Sequence, residues 1–202
     1  MTRRLPALFA TLCLALFLAG CASKPEPQTH YRFDAARAGA PAAQRLPAVL
    51  RIAPLQAAEG YRDWRFVYRE SDYRYAADPY RGFVAPPAAL IGERSEAWLA
   101  ASGLFQRAYL GNSPNVGEWV LRGRLEALYA DLRPGAPRQV VLALHYTLLR
   151  DGQPAISWTS TGSAAIGTVD GDGIAAAADA ALVAALKHLE SMLATTDVAV
   201  VR

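Results

Sequence analysis

Cysteine is nearly missing from this chain of 202 residues, which contains only Cys13 and Cys21. Both lie at the N-terminal end, so everything after residue 21 lacks a thiol for a disulfide or a thiolate metal site. Histidine is scarce as well, and His30, His145 and His188 have spacings that fit no metal site. We therefore expect no metal and no other cofactor, and a fold that is stabilised by packing.

Sequence motifs for catalysis are also missing. There is no Gly-x-Ser-x-Gly nucleophile elbow, and residues 162–168 have the glycine spacing of a phosphate loop without its lysine. Residues 170–173 resemble the start of a calcium loop, but Ile174 and Ala181 occupy ligand positions, so we predict a helix cap there instead. The sequence favours a binding or structural role over an enzyme.

Long apolar runs are confined to the N-terminus, and no later stretch reaches the roughly 18 apolar residues of a transmembrane helix. Arg3 and Arg4 precede an apolar segment over 5–18, which is typical of an export signal and short for a permanent span. The segment ends in Leu18-Ala19-Gly20-Cys21, which resembles the bacterial lipobox. This resemblance implies that Cys21 is acylated on its sulfur and becomes the mature N-terminus. An ordinary signal peptide, or a membrane anchor that happens to end in cysteine, is the alternative.

The predicted organisation is a signal peptide over 1–20, a lipidated N-terminus and tether over 21–30, and one domain over 31–202. The formal net charge of +3 falls by two when the signal peptide leaves, so the basic pI does not indicate nucleic acid. Cys21 is followed by Ala22, not aspartate. By analogy with lipoprotein sorting in Gram-negative bacteria, this favours the outer membrane, with the domain facing the periplasm.

Hydrophobic periodicity predicts a fold of the α/β (α+β) class, with a mixed, largely antiparallel sheet packed by two main helices. Residues 119–165 predict a three-stranded meander whose second hairpin turns at Asp151-Gly152, and the odd positions of 119–129 should share one apolar face. Predicted strands cover 31–33, 49–53, 65–69, 73–75, 105–110, 119–129, 139–149 and 155–165. Predicted helices cover 88–102 and 174–194, and residues 198–201 are predicted as a short strand or an apolar tail.

Eight aromatic residues alternate with arginines between residues 61 and 83. This pattern predicts antiparallel strands with aromatic rings inward and arginines on the wet face. Contact with a protein or with lipid is an alternative, whereas stacking on nucleic-acid bases is not expected of an exported protein. If the region is a contact surface, Trp64, Arg65, Arg69 and Arg74 are the candidate partner-contact residues.

The order of several short motifs carries a family resemblance. They are the lipobox, Tyr31-Arg32-Phe33, Ala53-Pro54-Leu55, Phe66-Val67-Tyr68-Arg69, Tyr73-Arg74-Tyr75, Phe83-Val84-Ala85-Pro86-Pro87 and Ser102-Gly103-Leu104-Phe105. In this order they resemble the ABC-type transport auxiliary lipoproteins, the PqiC-like family.

The resemblance implies a non-enzymatic outer-membrane component of a lipid transport system that links the inner and outer membranes. Its partners would be MCE-domain proteins and ABC-type transporter components, and a ring-like homo-oligomer is also implied. The resemblance transfers no catalytic residue, and Cys21 is the one position that it carries over. The alternative function is a solitary lipid- or cell-wall-binding lipoprotein, with a hydrolase as a third and less favoured class.

Overall fold

The structure, a computed structural model, describes residues 26–43, 46–112 and 119–196. The predicted signal peptide over 1–20, the acylation site Cys21 and the predicted segment 198–201 lie outside these residues. Within them the chain forms β1 (Thr29–Tyr31), β2 (Leu46–Ile52), β3 (Gln56–Ala57), a 3-10 turn (Glu59–Tyr61), β4 (Arg65–Arg69), β5 (Tyr75–Phe83), α1 (Pro87–Ser102), β6 (Phe105–Leu110), β7 (Trp119–Asp131), β8 (Gln139–Arg150), β9 (Gln153–Ala165) and α2 (Gly171–Thr195).

Strand β7 lies at the centre of a single nine-stranded sheet. One edge of β7 pairs antiparallel with β8 along its whole length, and β8 pairs antiparallel with β9. The other edge is divided among β2, β3 and β4, which pair with it in succession and run parallel to it. Strand β6 lies beyond β2, whereas β5 and then β1 lie beyond β4. The mixed sheet and its two helices confirm the predicted fold class.

The β7–β8–β9 meander was predicted correctly because its signals are local. Asp151 and Gly152 both have positive φ, 50° and 79°, as a two-residue hairpin requires. The predicted apolar face of β7 is wrong in its second half. A β-bulge between Leu125 and Ala127 inserts one residue, so Leu128 is buried while Tyr129 turns to the opposite face.

Both helices pack on the same face of the sheet. Helix α2 begins where Asp170 accepts a hydrogen bond from the Gly173 N–H at 2.8 Å, which confirms the predicted cap. Leu182, Leu186 and Leu189 of α2 are fully buried. A Cβ atom on Gly162 of β9 would overlap the backbone of Ala181 in α2, so glycine permits the close approach of strand and helix.

Two predicted details near the N-terminus were also wrong. The first strand ends at Tyr31, and Phe33 is buried outside it with its ring 4.7 Å from that of Phe83. The turn predicted at Asp78-Pro79 lies inside β5 as an irregularity, because four residues of β5 (78–81) lie opposite the single residue Phe66 of β4 there. The region that positions the candidate site is therefore less regular than its alternating sequence suggests.

Candidate functional site

The β4–β5 hairpin contains all four predicted contact residues. Its tip is closed by the N–H of Glu70, which donates to the Arg74 carbonyl at 2.9 Å, and by the Arg74 N–H, which donates to the Ser71 hydroxyl at 3.1 Å. Tyr73 stands at this tip with 97% of its surface exposed. The Arg74 side chain is 72% exposed and pairs with Glu70 at 2.7 Å. The tip therefore presents an aromatic ring and a guanidinium to the outside.

Arg69 lies inward from the tip and is used by the fold. Its side chain is 21% exposed, and its guanidinium carbon lies 5.7 Å from the ring centre of Tyr75 and 6.0 Å from that of Tyr129. The carboxylate of Asp72 is 3.8 Å away. Arg69 thus joins the hairpin to β7 and has little surface left for a partner.

Arg133 holds the hairpin tip to the loop after β7. Its guanidinium contacts Asp72 at 2.7 Å and Asp131 at 2.8 Å. The Arg133 hydrogen bonds keep the pKa of the buried Asp131 below its ordinary value. This pair of carboxylates on one guanidinium fixes the position of the tip relative to the central strand.

The root of the hairpin contains Trp64 and Arg65. Arg65 donates to Asp63 from Nε at 3.0 Å and from a terminal nitrogen at 2.8 Å, and both side chains remain partly exposed. The Trp64 ring lies 4.8 Å from the ring of His30 in β1. Gly82 has no space for a Cβ atom beside the Trp64 carbonyl. Trp64 therefore packs against the N-terminal strand, and Arg65 is already paired.

The irregular part of β5 is organised by Asp78, which is 3% exposed. It accepts a short hydrogen bond from the Tyr68 hydroxyl and further bonds from the N–H groups of Tyr80 at 2.8 Å and Arg81 at 3.0 Å. Burial raises the pKa of Asp78, but these donors outweigh it, so the pKa lies below its ordinary value. Burial and the Asp78 charge raise the pKa of the Tyr68 phenol. A buried carboxylate thus replaces the missing strand pairing.

The opposite face of the meander is not covered by either helix. Arg122 and Arg124 of β7 project from it beside Thr147 and His145 of β8, their register partners. These four residues line an open hollow of about 280 Å³. Arg124 has Glu126 at 3.4 Å, whereas Arg122 has no ion-pair partner among residues 26–43, 46–112 and 119–196. The alternation of residues 119–129 predicts this exposed polar face with Arg122, Arg124 and Glu126, but it did not single the face out as a contact site.

A cavity of about 20 Å³ lies beneath the start of α2, lined in part by Phe66, Leu128, Val140 and Ile174. This volume is about that needed for a single water molecule. The described residues also contain no cluster of three or more His, Cys, Asp or Glu side chains that could hold a metal ion. Neither helix in the described ranges has the length and apolar character needed to cross a membrane.

No family model and no curated protein matches this chain. Among solved structures it resembles protein XCC0632 from Xanthomonas campestris, described by the family model DUF330, with a TM-score of 0.70 and 18% identity over 80% of this chain and 91% of the other. An uncharacterized protein has a TM-score of 0.65 with 12% identity, over 83% of this chain and 99% of the other. A PelC dodecamer from Paraburkholderia phytofirmans has a TM-score of 0.41 with 15% identity, over 74% and 92%.

These comparisons correct the family assignment that the short motifs suggested. Because no family model matches the chain, membership in the ABC-type transport auxiliary, PqiC-like family is not established. The likeness to the DUF330 protein is a likeness of fold, since 18% identity is too low to carry function. What the comparisons show is a known mixed α/β fold.

Proposed function

We propose that this protein is a lipid-anchored, non-enzymatic accessory subunit of an MCE/ABC-type lipid transport system, held at the outer membrane and facing the periplasm. Acyl chains on Cys21 would attach it, because two or more chains hold a protein stably on a bilayer. The domain would then receive the distal end of a partner that bridges the periplasm.

The observation that supports this proposal is the short distance between the acylation motif and the folded domain. Glu26 is five residues after Cys21, and its carboxylate already pairs with Arg81 of β5 at 3.3 Å. Five extended residues span at most about 17 Å. A domain on such a tether stays beside the bilayer, where it can hold a partner but cannot act across the periplasm.

We assign the partner contact to the open meander face and not to the hairpin. Of the predicted contact residues, Trp64 packs on β1, while Arg65 and Arg69 have internal partners. Arg122, by contrast, is exposed and unpaired within the described part of the chain, beside Arg124. Such a surface fits a partner with an acidic contact patch, because exposed positive charge steers association with acidic surfaces.

The test is binding of the full-length acylated protein, in detergent micelles, to a purified MCE-domain protein from the same cell. We expect binding that is lost in Arg122→Glu/Arg124→Glu and kept in the hairpin control Arg65→Glu/Arg74→Glu. If binding were instead kept in Arg122→Glu/Arg124→Glu and lost in Arg65→Glu/Arg74→Glu, the partner contact would lie on the hairpin. Absence of binding by the wild-type protein would overturn the proposal. The mass of the acylated protein in the same micelles tests the expected homo-oligomer.

A second candidate, a solitary cell-wall-binding lipoprotein, is favoured by the 280 Å³ hollow beside Arg122 and His145. A hollow of this kind can take a carboxylate or phosphate group from a small ligand. A solitary lipid carrier is less well supported, because the apolar cavity under α2 holds about 20 Å³. Binding of muropeptides by the protein alone, without any MCE-domain partner, would favour this second function.

A further inference from the structure

The N-terminal tether enters the fold along β5, and the strand register gives its direction. Strand β1 runs parallel to β5, with Thr29 opposite Arg81 and Tyr31 opposite Phe83. The chain before Thr29 must therefore approach from the low-numbered end of β5, which is the hairpin tip. The ion pair between Glu26 and Arg81 lies on this path.

The tether has enough length to place Cys21 level with the tip. The length of β4 gives the distance from the root of the hairpin to its tip, because Arg65 pairs with Gly82 and Arg69 pairs with Tyr75. The four steps from Arg65 to Arg69 cover about 13 Å. Five extended residues from Glu26 to Cys21 cover at most about 17 Å. The acyl chains therefore enter the bilayer within about 17 Å of Glu26, which pairs with Arg81 of β5, whatever path these residues take.

Exposed apolar side chains are spread along the margin of the sheet that β1 and β5 form, from the hairpin tip to the end of β5. Three of the large exposed hydrophobic residues are on the hairpin. Val84 follows β5 and donates its N–H to the Tyr31 carbonyl at 2.7 Å. Val169 lies two residues before Gly171, which is in contact with the Tyr31 hydroxyl. We call these residues the tether edge: Tyr73, Tyr75, Tyr80, Val84 and Val169. They are all of the large hydrophobic residues found exposed in the described ranges.

We propose that the tether edge is a lipid-contact surface, which lies against the headgroup region of the bilayer that holds Cys21. The proposal rests on the lipid anchor of the proposed function and adds the orientation of the domain. Tyrosine suits this position, because its ring is apolar and its hydroxyl can remain hydrated at the membrane interface. The acyl chains supply the attachment, and the tether edge sets which side faces the lipid.

This orientation has a structural consequence for the rest of the sheet. Strand β1 forms one margin of the sheet, and β9 the other, with β5, β4, β7 and β8 between them. Five strand spacings separate the margins by about 24 Å. With β1 and β5 beside the bilayer, β9 lies five strands away across the sheet, and its C-terminal end leads back to Val169. The open meander face with Arg122 is then accessible to a partner from the periplasm.

Site-specific fluorescence can test this contact in the intact lipoprotein. Cys21 is the only cysteine after residue 20, and acylation consumes its thiol, so one introduced cysteine can be labelled selectively. Tyr73→Cys and Val84→Cys would carry an environment-sensitive dye on the tether edge. Thr159→Cys on exposed β9 is the matched control. Each acylated variant is reconstituted into vesicles of phosphatidylethanolamine and phosphatidylglycerol, with or without spin-labelled lipid.

We expect a blue shift and quenching by the spin-labelled lipid at positions 73 and 84, and neither change at position 159. Flotation of the unlabelled wild-type protein with the vesicles tests the anchor separately. If the protein floats but positions 73 and 84 are not quenched, the anchor stands and the lipid-contact proposal is overturned. If a blue shift appears only after an MCE-domain protein is added, the tether edge is a protein contact instead. Failure to float would overturn both the anchor and this inference.

Discussion

The β7–β8–β9 meander and the β4–β5 hairpin belong to one sheet, but they are built in different ways. The meander has strands of 12 or 13 residues, paired almost without interruption, and α2 covers its buried face. The hairpin pairs few residues with β7, and its irregular strand depends on ionic groups such as Asp78 and Arg69. Apolar side chains are buried in the meander and exposed at the tip of the hairpin.

This difference suggests that the meander mainly stabilises the fold, whereas the hairpin mainly presents surface side chains. Regular pairing and a leucine-rich helix interface supply most of the folding free energy in the meander, since that energy comes mainly from apolar burial. The hairpin has less to contribute to stability and presents its side chains to the surroundings of the tether. Substitutions in the two regions should therefore differ in size and in kind.

The largest effect is expected from Leu186→Ala in α2, a side chain that is fully buried against the sheet. Removing it leaves a cavity, and such truncations lower the free energy of unfolding by about 3–5 kcal/mol. Val84→Ala, on the exposed tether edge, is the matched control and should change it by less than about 0.5 kcal/mol. Urea unfolding of both variants measures the contrast. Equal losses would show that the two regions share the stability evenly.

A somewhat smaller loss is expected from Gly162→Ala, where β9 meets α2. The new methyl group would overlap the Ala181 carbonyl, so the helix must move, at a cost of about 2–3 kcal/mol. Gly167→Ala is the control, because its methyl group would meet no atom within 4 Å. Urea unfolding again gives the measurement. A stable Gly162→Ala variant would mean that α2 is held less tightly than its leucine stripe indicates.

The same division explains how much of the fold the sequence could predict. The helix cap at Asp170, the hairpin at Asp151-Gly152 and the α2 stripe are local patterns, and the structure confirms them. The bulge after Leu125 could not be predicted from the sequence, because a single inserted residue leaves the composition of the strand unchanged. The parallel pairing of β2, β3 and β4 with β7 depends on distant contacts that no local pattern reports.

The candidate site was the least predictable part, for a related reason. An arginine in sequence looks the same whether it is free or paired. Arg69 is enclosed by aromatic rings, whereas Arg122 is exposed, and only the three-dimensional structure separates them. Alternation predicted rings facing inward between residues 61 and 83, and Tyr73 contradicts this because it falls on the hairpin tip, outside either strand.

The hairpin's ionic construction should make its stability depend on pH. The pKa of Asp78 in the folded protein is below its ordinary value of 3.8, so its contribution is complete above that pH and is lost as pH falls through the folded pKa. Asp78→Asn should cost about 1.5–3 kcal/mol near neutral pH, the range for hydrogen bonds to a charged group. The difference between wild type and variant should shrink in acid. Urea unfolding between neutral pH and about pH 3 measures this difference.

Asp151→Asn provides the comparison for Asp78→Asn, because its side chain is 59% exposed and its distance to Arg150 is 3.8 Å. It removes the same charge without removing a buried hydrogen-bond acceptor. We expect its effect to be within about 0.5 kcal/mol at every pH tested. If both variants show the same pH dependence, the acid sensitivity comes from net charge and not from the Asp78 network.

The smallest change in stability is expected from Tyr73→Ser, which removes the most exposed aromatic ring of the hairpin. Its free energy of unfolding should stay within about 0.5 kcal/mol of wild type, because no buried surface is lost. Tyr75→Ser should cost about 1 kcal/mol, since the Tyr75 ring contacts Arg69 and packs edge-on to Tyr129 at 5.5 Å. Urea unfolding of the two neighbouring variants therefore separates a ring that supports the fold from one that does not. If Tyr73→Ser were as costly as Tyr75→Ser, the exposure of Tyr73 would have a structural cause, and the tether edge would lose its strongest support as a contact surface.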